Sequence, residues 1–134
     1  MLIQINNEDY DIKKLIYEKC GKKFSFFKRI IKNNFGSSRY KLKSINPTHS
    51  HIDLDNFNDN IFLNFDLRDK GIVFYFRYKN TEYVEFSPFH SLTFQSNDSS
   101  FILQTDINTY AFEIMNKKKH KVFILKLYKF KNKN

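Results

Sequence analysis

The sequence predicts an α+β protein of one domain. It should be an antiparallel β-meander or partly open barrel with two N-terminal helices and a C-terminal helix. Three observations predict this. Residues 61–115 form short aromatic-rich segments that alternate every second residue between turn signals, the pattern of half-buried antiparallel strands. Ahead of them, apolar residues recur at helical spacing. A length of 134 residues, 41% of them hydrophobic and 18% aromatic, suits one core packed around Phe rings.

Leu2-Ile3-Gln4-Ile5 reads as a short edge strand. Asn6-Asn7 supplies a cap, and Glu8, Asp9 and Asp11 sit where a helix N-terminus favours negative charge. Ile12, Leu15, Ile16 and Lys19 have helical spacing, and Gly21 closes that helix. Ser25 can cap a second helix containing Phe27, Ile30 and Ile31, with Lys28, Arg29 and Lys32 on its basic face and Asn34 and Gly36 ending it. Residues 1–36 are thus a helical N-terminal element, followed by a strand at Tyr40–Lys43 and a break at Pro47. His49 to Phe57 reads as polar and extended.

The strand series comprises Ile61–Leu67, Ile72–Phe76, Tyr83–Phe86, Leu92–Phe94, Phe101–Leu103 and Tyr110–Ile114. Asp69-Lys70-Gly71 and Lys79-Asn80-Thr81 are hairpin turns, Asn97-Asp98-Ser99-Ser100 is another, Asn108-Thr109 leads into the last strand and Pro88 bends the path. Glu82, Glu85 and Glu113 are expected to face outward. The tail, with Val122, Phe123, Leu125, Leu127 and Phe130, reads as a helix capped by Asn116; the alternative is a strand that closes the meander.

No run of about 20 apolar residues spans a membrane, and the start lacks a basic region followed by an apolar stretch. The cytoplasm is therefore the expected compartment. Cys20 stands alone, which excludes an internal disulfide and a multi-Cys zinc site. The net charge of +9 is unevenly spread. Residues 1–50 hold eleven Lys and Arg against four carboxylates, residues 51–116 four against ten, and residues 117–134 eight against none. Two basic ends flank an acidic middle. Lys, Asn, Ile, Phe and Tyr all have AT-rich codons and Ala111 is the only alanine, so a low-GC genome, expected to be bacterial, would by itself raise both the lysine and the aromatic content.

The run Thr48-His49-Ser50-His51-Ile52-Asp53-Leu54-Asp55 would, if extended, point residues 49, 51, 53 and 55 to one face. His49, His51 and Asp53 are a candidate metal set for zinc or another divalent ion. The run resembles the metallo-β-lactamase-fold signature, with Leu54 standing where that family has its second-site His. Only His90 and His120 remain downstream, so the wet face of an amphipathic segment is the preferred reading and no cofactor is expected. Lys70-Gly71-Ile72-Val73-Phe74-Tyr75-Phe76 faintly resembles an RNA-recognition-motif signature. Ile72 replaces a stacking aromatic there, and a core strand after a hairpin glycine is the preferred reading. No Gly-rich phosphate loop and no Ser/His/acid order with a nucleophile turn is visible.

Basic and aromatic residues interleave at Lys22-Lys23-Phe24-Ser25-Phe26-Phe27-Lys28-Arg29 and again from Lys117 to Lys133. Such runs can contact phosphate, nucleic acid, an anionic membrane surface or an acidic protein. The expected partner contacts are Lys22, Lys23, Lys28, Arg29, Lys32, Lys117, Lys118, Lys119 and Lys121.

Residues 40–130 resemble the pleckstrin-homology-like (PH-like) pattern of small bacterial domains. The likeness rests on Gly71-Ile72-Val73-Phe74-Tyr75, on the Lys79-Asn80-Thr81-Glu82-Tyr83 hairpin and on a strand ending near Pro88-Phe89-His90. The resemblance implies about seven strands, a helix plugging the open end and a non-enzymatic scaffold that binds peptides, protein partners or lipid headgroups. A rival architecture, the NTF2-like cone, would make the tail a strand. It would enclose an aromatic pocket for a small ligand or an enzymatic reaction.

Overall fold

A computed structural model describes residues 1–5, 10–23, 39–47 and 52–133. Its described strands are β1 (Leu2–Gln4), β2 (Tyr40–Asn46), β3 (Phe62–Leu63), β4 (Phe65–Leu67), β5 (Gly71–Tyr78), β6 (Thr81–Pro88), β7 (Thr93–Ser96), β8 (Ser100–Gln104) and β9 (Thr109–Ile114). Helix α1 is Tyr10–Cys20, α2 is Lys117–Lys133, and a 3-10 turn occupies Phe89–Ser91. The protein is α+β with two open antiparallel sheets, ordered β1-β6-β5-β4 and β3-β2-β9-β8-β7. The second expected N-terminal helix lies outside the described residues.

The run Ile61–Leu67 is not one strand. It breaks at exposed Asn64, so that β3 pairs with β2 in one sheet and β4 pairs with β5 in the other. Alternation survives the break: Ile61, Leu63, Phe65 and Leu67 all stay buried. A run of alternating residues can therefore bend from one sheet into the next without turning its apolar face outward. β2 and β5 to β9 extend past their expected ends, because backbone pairing continues beyond the apolar residues, whereas β1 stops one residue short of the expected Ile5. Leu92 itself falls in the loop before β7, yet it is buried.

Aromatic rings fill the space between the sheets. Phe65 is the hub, with ring centroids 5.0 Å from Tyr40 and Phe112, 5.1 Å from Phe74 and 5.5 Å from Phe123. Most of these contacts are edge-to-face, the geometry that the ring quadrupole favours. α2 contributes His120, Phe123 and Leu127 to the interior at helical spacing. Its start is capped as expected, the Asn116 side-chain carbonyl accepting from the Lys119 amide at 3.0 Å. The tail is thus a helix rather than the strand of the cone alternative. Among the described residues, no helix is long and apolar enough to cross a membrane.

α1 covers the outer face of the first sheet, packing Ile16 and Cys20 on Val73, Val84 and Phe86. Gly71–Phe74 of β5 and Tyr83–Ser87 of β6 are consequently buried on both faces. The close approach requires Gly71: a β-carbon there would lie 2.5 Å from the Ser87 carbonyl oxygen and 2.6 Å from the Cys20 Sγ. Gly21 ends α1 with φ +86°, its amide donating to the Tyr17 carbonyl at 2.9 Å.

Candidate functional site

Among the concave features of the described residues, two are lined by several basic side chains beside apolar or aromatic ones and use different parts of the fold. One is a groove of about 660 Å³ between the β7–β8 turn and α2, lined by Ser96, Asn97 and Asp98 on one side and by Lys117, His120, Lys121, Ile124 and Leu125 on the other. β7 is an edge strand, hydrogen-bonded to β8 alone among the described strands. The Asn97 amide donates to the Ser100 carbonyl at 3.0 Å and closes the hairpin. Ladder bonds alternate between successive antiparallel pairs, so the main-chain groups of Phe94 and Ser96 point away from β8. The turn is held rigid, because the Asn97 side-chain oxygen accepts from the Ser99 and Ser100 amides at 2.9 and 2.8 Å.

At the base of this groove, three side chains form a chain of hydrogen bonds. The Tyr40 hydroxyl meets His120 Nδ1 at 2.5 Å, and His120 Nε2 meets Ser96 Oγ at 2.6 Å. Ser96 Oγ also donates to the Asn97 carbonyl at 3.3 Å. One direction satisfies every group: Tyr40 donates to Nδ1, Nε2–H donates to Ser96, and Ser96 donates onward. The reverse direction would leave the buried Tyr40 O–H without an acceptor among the described residues. Burial alone pushes the Tyr40 phenol up and pushes His120 down, below its ordinary value. His120 is therefore a neutral imidazole whose Nε2 already carries its proton. It cannot deprotonate Ser96, so the pair is a strut between β7 and α2 rather than a nucleophile and base.

The second feature is a cleft of about 350 Å³ where α1 meets the outer face of the first sheet. Lys13, Tyr17, Lys22 and Lys23 line it from the helix side, Arg68 from the connection after β4 and Tyr75 from β5.

The expected partner contacts separate accordingly. Lys117, Lys118, Lys119 and Lys121 are exposed on the first turns of α2, and Lys117 and Lys121 line the groove. Lys22 and Lys23 are exposed beyond α1 and line the other cleft. Lys28, Arg29, Lys32, His49 and His51 lie outside the described residues. Asp53 is exposed, and the segment turns at Asp55–Asn56 instead of running extended to Phe57. The Asp53 carboxylate accepts from the Asn56 side-chain amide at 2.7 Å, the main reason it is held below the usual carboxylate range. Among the described residues, no group of three or more His, Cys, Asp or Glu side chains could hold a metal ion.

Glu85 corrects one expectation outright. It faces inward and is 0% exposed. Its carboxylate accepts from the Tyr110 hydroxyl at 2.5 Å, from Asn108 Nδ2 at 3.2 Å and from the Met1 α-amino group at 2.5 Å. Burial, and then the Glu85 charge, push the Tyr110 phenol far up, so it remains a donor. Period-two reading failed here because α1 covers the far side of β6, leaving no solvent face for Glu85 to occupy. Glu82, by contrast, is partly exposed and pairs with Arg77 at 3.1 Å. Cys20 is fully buried and desolvation raises its thiol to about 11, which removes the thiolate a nucleophile would need.

Compared with known proteins, the chain matches no family model, and no curated protein is similar to it in sequence.

Proposed function

We propose that this chain is a non-enzymatic interaction module that takes an acidic peptide segment as an added strand along β7, against α2. The single observation that carries the reading is the juxtaposition of a strand edge and a helix face in one groove of about 660 Å³. Strand addition needs outward main-chain N–H and C=O groups, which Phe94 and Ser96 supply, and pockets for alternate side chains. Ile124 and Leu125 form an apolar wall for such side chains, and Leu125 is 65% exposed with no buried role. Lys117 and Lys121 at the rim favour carboxylates on the incoming segment.

The PH-like resemblance belongs to the same reading. In its favour, β2 pairs with β9, the sheets are linked through the bend at Asn64, and a C-terminal helix packs on the interior. Arrangements of that kind leave binding to loops and sheet edges. Against an enzymatic reading stand the directed Tyr40–His120–Ser96 chain and the ring-filled interior.

Panning a randomised peptide display library on the wild type and on a Lys117→Glu/Lys121→Glu variant tests the proposal. The expected result is a consensus of carboxylates alternating with apolar residues, with affinity reduced at least tenfold in the variant and at high salt. No enrichment, a neutral or basic consensus, or equal enrichment on the variant would overturn it.

A further inference from the structure

We propose that the cleft between α1 and the outer face of the first sheet binds a nucleotide unit, with lysines on the phosphate and tyrosine rings against the base. Local structure assembles it. Lys13 and Tyr17 are four residues apart in α1 and so share one face of the helix. Gly21, at φ +86°, reverses the chain so that Lys22 and Lys23 return beside that face. Arg68 is fixed in place, its Nε donating to Asp66 at 3.3 Å and one terminal nitrogen to the Gly21 carbonyl at 3.3 Å. Tyr75 rises from β5, a strand with neighbours on both sides, yet it is 41% exposed; Tyr17 opposite is 52% exposed.

The described residues that line this cleft include four basic side chains and no carboxylate. Asp66 is engaged by Arg68, whereas Lys13, Lys22 and Lys23 have no ion-pair partner among the described residues. Three ammonium groups without an ion-pair partner among the described residues suit a phosphate, which offers several acceptor oxygens and more than one negative charge. A carboxylate would use the same lysines but leave both rings idle. Exposed aromatic faces beside a basic surface are the elements that hold an unpaired base by stacking. A volume of about 350 Å³ admits one such unit and not a duplex. The unit could be a free mononucleotide or one residue of a single strand, since the two present the same ring and phosphate. The cleft shares no lining residue with the β7–α2 groove, so the inference stands independently of the peptide reading.

Isothermal titration of the full chain with AMP, with a short single-stranded oligo-dA and with inorganic phosphate tests it. AMP or the oligonucleotide should bind at least tenfold more tightly than phosphate. Binding of the oligonucleotide alone would identify a strand as the source, and binding of AMP with equal strength would identify the mononucleotide. Lys22→Gln/Lys23→Gln should lose at least tenfold for every probe. Tyr75→Leu, and separately Tyr17→Leu, should lose several-fold for the nucleotide and leave phosphate unchanged. Both rings are half exposed, so neither change empties the core. Lys117→Gln/Lys121→Gln should bind like the wild type. Phosphate matching AMP, tyrosine variants without effect, equal losses in the α2 variant, or no binding of either nucleotide would overturn the proposal.

Discussion

Replacing Gly71 by Ala tests how α1 is seated on the first sheet. No unusual backbone angle is required of Gly71, so the cost is steric and can be worked from distances. The added β-carbon would lie 2.5 Å from the Ser87 carbonyl oxygen, 2.6 Å from Cys20 Sγ and 3.0 Å from Cys20 Cβ. Ordinary contact begins near 3.4 Å, so the first two atoms must each retreat by about 0.8–0.9 Å. The thiol could be removed; the carbonyl belongs to β6, whose Ser87 is paired with Ile72. Overpacking of this kind costs about 1–3 kcal/mol, and a backbone clash puts Gly71→Ala at or above the upper end, about 3 kcal/mol. For a domain of this size that is a fall in Tm of roughly 10 °C. Cys20→Ala in the same chain should recover about 1 kcal/mol, because it relieves the thiol contact and not the carbonyl. Gly21→Ala is the contrasting case: its nearest contacts are 3.6 Å away, and only its φ of +86° opposes a side chain, a penalty of about 1 kcal/mol. Urea denaturation followed by far-UV circular dichroism measures all four proteins. A Gly71→Ala protein within about 0.5 kcal/mol of wild type, or one more stable than Gly21→Ala, would refute the close docking of α1. With it would fall the rigid wall of the basic cleft.

Two further outcomes follow from the buried polar groups. Glu85→Ala removes the acceptor that the Tyr110 hydroxyl, Asn108 Nδ2 and the Met1 amine share, the amine keeping the Phe86 carbonyl; it should cost about 3–5 kcal/mol, whereas Glu82→Ala, which breaks an exposed pair, should cost under about 1 kcal/mol. Equal costs in urea melts would show that Glu85 is not a paired interior carboxylate. For His120, the unfolded chain takes up a proton near the usual pH of about 6.5, while the buried ring resists protonation until lower pH. The unfolded state then binds more protons, so stability is full above the ordinary value and declines as pH falls from there toward the folded-state value. His120→Gln should flatten that part of the profile, with the groove neighbours Asp98, Lys117 and Lys121 left in place. An unchanged slope would mean that another group titrates.

Much of this protein follows from local pattern alone. Alternating Phe, Tyr and Ile residues fall in register on one face whatever else the chain does, and so the strands from Gly71 to Ile114 were legible. Asn116 was legible as a cap, and Gly21 as a terminator, because both act within a single turn of chain. What the pattern could not convey depends on what packs against each face. Glu85 looks like a solvent residue until α1 covers the far side of β6. Gly71 looks like a hairpin glycine until Cys20 and Ser87 close around it. His120 sits in a run of lysines, and only the meeting of α2 with Tyr40 and Ser96 turns it inward. The basic residues were visible as a composition, but their division into a groove beside β7 and a cleft beneath α1 was not. Charge and period are properties of neighbours along the chain. Burial, and with it the protonation and the role of each polar group, is a property of neighbours in space.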